Sequence, residues 1–101
     1  MKLVRDLIPD IIKKNDKTCK YHIAEYDEYE TRLYEKMREE LDEFIAIPSY
    51  EEAADMWEVF KAICELHDLD MREVELKADL KRKKNGGFSK RIVLEQVNEA
   101  G

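Results

Sequence analysis

The chain has 101 residues, of which 44% are apolar and 42% charged, and its formal net charge is −6. This length predicts one small domain over residues 1–101, and the charge content with only three glycines favours helices over an all-β sandwich. The acidic balance argues against a binder of duplex nucleic acid or of membrane surfaces, since such proteins carry a basic footprint.

The cysteines and the N-terminus predict a cellular location. Cys19 and Cys64 stand in no metal-ligand spacing, which is typical of reduced thiols. Charged residues and Pro9 interrupt the apolar N-terminus, so it does not resemble a signal peptide, and no apolar run approaches the length of a membrane span. We therefore expect a cytoplasmic protein without a membrane partner.

The first elements of the chain are short. Apolar residues recur at intervals of three and four over residues 1–14, and Pro9 limits them to a short helix or to a helix that begins there. Residues 18–26 are predicted to form a short strand that pairs with a second one near residues 88–97. These two segments would form a small two-stranded β-element in a mainly all-α fold.

Three longer helices are predicted after the first strand. A helical apolar period starts at about Asp27 and is broken at Pro48-Ser49, where Ser49 and Glu52 form a capping box. The next helix should run from about Tyr50 to His67, and another over residues 71–84. Asn85-Gly86-Gly87 then provides a strong stop and turn signal. A core this small favours assembly as a homodimer or homotetramer.

Seven carboxylates lie between Glu39 and Asp55, around Pro48. At about 100° per helical residue, Glu40 falls inside the apolar arc of the first long helix and Glu43 just beyond its edge. On the next helix Glu52 falls inside the arc and Asp55 borders it. The short connection predicts antiparallel neighbours, with these four acids near one another.

Four ionised carboxylates facing a helix interface are costly unless a cation compensates them. Carboxylates with no nearby histidine or thiolate are hard oxygen ligands, which favour Mg²⁺, with Mn²⁺ as an alternative. The simpler interpretation is that these acids are solvated helix charges and that Glu52 only closes the capping box. The paired, inward-facing arrangement favours the metal site.

Four blocks of the sequence resemble the MazG-like, all-α NTP pyrophosphatase superfamily, in its phosphoribosyl-ATP pyrophosphohydrolase-like branch. In chain order they are KLVRDLIP, EKMREELDEF, EEAADMWEVFKAI and KKNGGFSKRIVL, and they cover nearly the whole chain. The resemblance implies a helical bundle that binds Mg²⁺ and hydrolyses a nucleotide between its α- and β-phosphates. The products would be a nucleoside monophosphate and pyrophosphate, and non-standard nucleotides would be one substrate class.

By the same resemblance, Glu40 and Glu43 match the first metal-binding pair, and Glu52 and Asp55 match the second. Glu39 is the candidate catalytic residue that positions or deprotonates the attacking water, with a solvated helix charge as the alternative. The chain departs from the family pattern in its connection, since only residues 44–51 separate the two pairs. A longer connection is common in the family, so the shorter one bears on substrate recognition or dimer contacts.

Basic residues are candidates for phosphate binding. Lys36 lies one turn before Glu40 and either reaches a phosphate or forms an i,i+4 salt bridge with Glu40. The residues that flank or open the NGGF turn offer side chains and backbone N–H groups for an anion: Lys81, Lys84, Asn85 and Arg91. The alternative for this stretch is a solvated helix end.

Several other polar and aromatic residues have structural alternatives to a functional role. Arg5 and Asp6 are predicted to form a buried pair, with substrate contact as the alternative. Trp57 suits core or dimer packing better than base stacking, and His22 and His67 are expected to be structural. Two further functions stay open, namely phosphoribosyl-ATP hydrolysis and a non-catalytic nucleotide-sensing or helical interaction role.

Overall fold

The computed structural model describes residues 1–99 and is mainly α-helical, as predicted. Its helices are α1 (Ile8–Lys14), α2 (Tyr26–Ala46), α3 (Tyr50–Leu66) and α4 (Met71–Asn85). The predicted helix bounds agree with these to within one or two residues. None of the helices in residues 1–99 combines the length and the apolarity needed to cross a membrane.

The chain divides into two compact units. Met1–Leu69 contains the first three helices, and the second unit begins at Asp70 and contains α4. The acids predicted to bind metal all lie on α2 and α3 and therefore in the first unit.

The predicted two-stranded β-element is not formed in residues 1–99. Residues 18–25 have no regular secondary structure, Tyr26 already begins α2, and residues 88–97 contain no strand. Tyr21 and Ile23, which would share one face of the predicted strand, are open to solvent, 64% and 85% exposed. An isolated pair of strands without an apolar face to bury is marginal in water, which explains the difference.

Helix α3 begins at the predicted capping residue. Ser49 has an extended backbone, with φ −155°, and its hydroxyl oxygen accepts a hydrogen bond from the backbone N–H of Glu52 at 3.1 Å. This bond satisfies one of the N–H groups that have no partner within the helix. The cap therefore fixes the point where the chain turns from α2 into α3, directly beside the two acidic pairs.

Helices α2 and α3 pack against each other in antiparallel order. The hydroxyl of Tyr34, early in α2, is 2.7 Å from Nε2 of His67 at the end of α3, while Glu40 meets the start of α3. Leu33 and Cys64 are the buried apolar side chains of this pair, 2% and 3% exposed. Such a small core leaves the helix pair dependent on further contacts.

Replacing Ser49 by Ala tests the cap. We expect Ser49→Ala to lower the free energy of unfolding by about 1 kcal/mol, because the N–H of Glu52 loses its acceptor. Thermal or urea denaturation followed by circular dichroism measures the change. Ser49→Thr retains the acceptor and is the matched control, so an equal loss in both variants would contradict the capping role.

Candidate metal site

Glu40 lies at the centre of the acidic cluster on α2 and α3. Glu40 is 5% exposed, and it is the one charged residue that is buried within residues 1–99. Helix α2 places it there because it falls on the same face as Leu33, two turns earlier. The prediction from helical periodicity that Glu40 lies on the inner face of α2 is confirmed.

The carboxylates form two overlapping groups that share Glu40. In one group, single oxygens of Glu39, Glu40 and Glu43 lie within 4.8 Å of one another. In the other, the same holds for Glu40, Glu52 and Asp55. The acidic cluster is defined by these five residues, and its second group joins the two helices. Three carboxylate oxygens at this separation could supply part of the oxygen shell of one hard divalent cation.

Two carboxylate oxygens of the cluster are buried and unpartnered. Oε2 of Glu40 and Oε2 of Glu52 have no hydrogen-bond partner among residues 1–99. Buried polar atoms nearly always have a hydrogen-bond partner, because a buried atom without one loses its bonds to water and gains none from the protein. Two such atoms, on facing helices of one cluster, fit a cation that both carboxylates coordinate.

Three cations contact the outer part of the acidic cluster. Nζ of Lys36 is 3.3 Å from Oε1 of Glu40 and 3.8 Å from Oε1 of Glu39. Nη2 of Arg5 is 2.7 Å from Oδ1 of Asp55, and Nζ of Lys2 is 3.8 Å from Oε1 of Glu39. Five carboxylates therefore face three positive charges, which leaves the cluster with excess negative charge when all its acids are ionised.

The surroundings of Glu40 disfavour the ionised form of its carboxyl group. Burial is the largest effect and raises the pKa of this carboxyl above its ordinary value. The hydrogen bond from Lys36 lowers the pKa, whereas the neighbouring charge of Glu43 raises it. The raised pKa has the direction expected for an acid held among other acids, and a divalent cation would favour its ionised form.

Lys36 forms the salt bridge that was one of its two predicted roles, since it spans one turn to Glu40. Its side chain is 19% exposed, so it is held against the cluster rather than free in solvent. A role in phosphate binding stays a prediction for this residue.

The other predicted phosphate-binding residues lie in the second unit. Lys81, Lys84 and Asn85 are in the last turns of α4 and Arg91 lies beyond it, and all four are exposed. Gly86 follows the helix with φ 85°, in the left-handed region that favours glycine, as the stop signal predicts. Their part in phosphate binding stays a prediction.

Arg5 is the site residue whose contact the sequence did not reveal. The prediction of a buried Arg5–Asp6 pair is wrong, because both residues are exposed and Arg5 pairs with Asp55. That pair spans 50 positions of sequence, so no local spacing indicates it. The sequence feature that could have indicated a contact is the presence of two basic residues, Lys2 and Arg5, in a largely apolar N-terminal segment.

The histidines and Trp57 make ordinary packing and hydrogen-bonding contacts. His67 stacks on Tyr34 with ring centroids 6.3 Å apart, and burial raises the pKa of the Tyr34 phenol. Nε2 of His22 is 2.8 Å from Oε1 of Glu28, and this bond lowers the pKa of the Glu28 carboxyl. Trp57 is 48% exposed beside Phe60, so it is not enclosed in the core of the isolated chain.

A groove of about 900 Å³ runs along the acidic cluster. The N-terminal segment lines one side of it, and α2 and α3 contribute Lys36, Glu40, Asp55 and Glu58. Grooves of roughly 300–1,000 Å³ accommodate small ligands, including nucleotides. Of the acidic cluster, Glu40 and Asp55 line the groove, so it adjoins the candidate metal site at these two residues.

No family model, no curated protein and no solved structure matches this chain.

Mg²⁺ should stabilise the protein through Glu40. At a hundredfold excess over its dissociation constant, a bound ion adds about 2.7 kcal/mol to the free energy of unfolding. For a domain of this size that is a rise in Tm of roughly 10–20 °C. We expect Glu40→Gln to lose most of this Mg²⁺-dependent rise in differential scanning fluorimetry, because the shared ligand loses its charge.

The matched control for this experiment is Asp42→Asn, which removes an exposed acid of α2 outside both carboxylate groups. Its Mg²⁺-dependent rise in Tm should equal that of the unaltered protein. The same rise in Glu40→Gln would show that the ion binds elsewhere. Each variant is compared with itself with and without Mg²⁺, so a changed baseline stability does not affect the result.

Proposed function

We propose that this protein is a Mg²⁺-dependent nucleotide pyrophosphohydrolase of the MazG-like type. It would cleave a nucleoside triphosphate between the α- and β-phosphates and release a nucleoside monophosphate and pyrophosphate. Cytoplasmic clearance of non-standard nucleotides is the role that suits this activity.

The observation that carries the proposal is the unpartnered Oε2 of Glu40, buried where the two carboxylate groups meet. A solvated helix charge would be exposed, whereas the salt bridge of Lys36 reaches Oε1 of Glu40 and leaves Oε2 buried and unpartnered. The donor set contains carboxylates only, which is the ligand chemistry of Mg²⁺ and Mn²⁺ rather than of zinc. The order of the acids, Glu-x-x-Glu followed by Glu-x-x-Asp, is also the hallmark of the family that the sequence resembles.

The residues of the cluster divide into holding and positioning roles. The resemblance assigns the cation to Glu40, Glu43, Glu52 and Asp55. Glu40, Glu52 and Asp55 form the group that joins α2 and α3 and would hold the cation there, whereas Glu43 lies in the group of Glu39 and Glu40. When bound, the ion neutralises negative charge on the phosphates and acidifies a water molecule. Lys36, held between Glu39 and Glu40, keeps both carboxylates in place through its 3.8 and 3.3 Å contacts.

We assign Glu39 the role of orienting or deprotonating the attacking water. Its side chain is 37% exposed, so it can reach solvent, and one of its oxygens lies within 4.8 Å of the Glu40 carboxylate. A base must be within hydrogen-bond reach of the water that it activates, and this assignment requires the attacking water to lie beside Glu39 when the cation is bound. Its loss should lower turnover more than it lowers cation affinity.

We further propose that the protein functions as a homo-oligomer, either a homodimer or a homotetramer. Four apolar side chains of α2 and α3 remain between 38% and 67% exposed. We call them the outer apolar band: Leu41, Ile45, Trp57 and Phe60. At the helical period they lie away from the acidic cluster, so a second copy could cover them without closing the groove. Leu33 and Cys64 alone are too small a core for two helices of this length.

Pyrophosphate release tests the activity. With Mg²⁺, the protein should release pyrophosphate and a monophosphate, rather than inorganic phosphate and a diphosphate, from at least one member of a panel of ordinary and damaged nucleoside triphosphates. Glu40→Gln and Asp55→Asn should lower this rate by more than about 100-fold, because each removes a cation ligand. Helical circular dichroism should change little.

Asp42→Asn again serves as the control and should retain full turnover. If no triphosphate is hydrolysed by folded protein at any Mg²⁺ concentration, the catalytic proposal fails. Turnover that survives Glu40→Gln would instead show that the reaction occurs at another site.

The oligomer is tested by changing the outer apolar band. Trp57→Glu should convert the assembly to monomer in sedimentation velocity at micromolar concentration, because a charge at a buried interface has no compensation. Tyr50→Glu is the control, since Tyr50 is 93% exposed at the start of α3 and is not part of the band. A monomeric unaltered protein, or an intact oligomer in Trp57→Glu, would contradict this interface.

A further inference from the structure

The N-terminal segment contacts the acidic cluster through two basic side chains that are more exposed than Lys36. Arg5 pairs with Asp55 at 2.7 Å, yet its side chain is 58% exposed. Lys2 approaches Glu39 at 3.8 Å and is 66% exposed. Lys36, in contrast, is 19% exposed and is held by two acids of its own helix. Arg5 and Lys2 are therefore the cations that can leave the cluster at little cost.

The contact of Arg5 conflicts with the proposed use of the site. Asp55 belongs to the carboxylate group that would hold the divalent cation, and Arg5 is its ion-pair partner within residues 1–99. The guanidinium of Arg5 partly neutralises the charge of Asp55. A divalent cation bound at the same carboxylate would repel the guanidinium. Exposed ion pairs are weak, so the Arg5–Asp55 pair is easily exchanged.

A released Arg5 would face the groove beside the acidic cluster. The residue lines that groove together with Lys2 and Lys36, and Glu40 and Asp55 line it as well. A triphosphate that enters an acidic groove needs positive groups of the protein as well as the bound ion. The guanidinium is suited to this because its planar donors bind two phosphate oxygens at once.

We propose that Arg5 is an exchangeable counter-ion of the acidic cluster that binds the substrate's phosphates once the cation site is loaded. In the unloaded protein its guanidinium compensates Asp55. In the loaded protein Asp55 becomes a ligand and Arg5 binds phosphate oxygens instead. This inference rests on the proposed function and assigns a positioning residue to its substrate site.

The exchange predicts opposite effects of one substitution on two affinities. In Arg5→Gln, Mn²⁺ alone should bind roughly 1.5- to 5-fold more tightly than in the unaltered protein, because a competing weak ion pair is gone. At saturating Mg²⁺, a non-hydrolysable α,β-methylene nucleoside triphosphate should bind roughly 10- to 100-fold more weakly, because charged hydrogen bonds to phosphate are lost. Isothermal titration calorimetry measures both affinities without turnover.

Two further variants sharpen the test. Arg5→Lys retains the charge but not the planar fork, so its Mn²⁺ affinity should stay near that of the unaltered protein and its triphosphate affinity should fall only in part. Arg38→Gln removes an exposed arginine of α2 that has no ion pair within residues 1–99, and neither affinity should change.

A purely structural Arg5 would not produce affinities that change in opposite directions. Unchanged or weaker Mn²⁺ binding in Arg5→Gln, or unchanged triphosphate binding, would overturn the proposal for Arg5 even if the unaltered protein hydrolyses nucleotides. If the unaltered protein binds both ligands but hydrolyses none, the catalytic function fails, and the opposite shifts would still support the exchange. Absence of Mn²⁺ binding to the unaltered protein would overturn both.

Discussion

The first unit of this protein depends on how the buried charge of Glu40 is compensated. The carboxylate lies at a helix interface where one of its oxygens has no partner within residues 1–99, and Lys36 provides its ion pair. Burial of an ionised acid costs several kcal/mol unless hydrogen bonds or opposite charge restore what water supplied. In a unit whose buried apolar side chains are Leu33 and Cys64, that cost is large relative to the stability available.

The surrounding structure can be understood as the means by which this charge is tolerated. Ser49 caps α3 and so brings Glu52 and Asp55 to the level of Glu40, which creates the carboxylate group that joins the helices. This juxtaposition would be destabilising without cations. The N-terminal segment provides two of them from outside the helix pair, and a divalent ion would provide more charge in a smaller volume. The stability of the helix pair and the proposed cation binding thus depend on the same residues.

Helical periodicity was enough to predict much of this arrangement. The inward position of Glu40, the cap at Ser49 and the stop after Asn85 all depend on neighbours within a turn, and each is present in the structure. Glu52 is only half-buried, and Trp57 and Phe60 of its predicted apolar arc are exposed. The prediction of a strand at residues 18–26 was wrong, because alternation shows only that a strand is feasible, and Ile23 is 85% exposed. The Arg5–Asp55 pair was inaccessible to such reasoning, since tertiary packing brings its members together.

The central claim is that Glu40 is the shared ligand of a divalent cation. The most direct measurement is a crystal structure of the protein grown with Mn²⁺, with data collected where manganese scatters anomalously. The account predicts an anomalous peak in direct contact with Oε2 of Glu40 and with carboxylate oxygens of α3. A peak that touches only exposed acids, or ordered Mn²⁺ absent from the acidic cluster at saturating concentration, would contradict it.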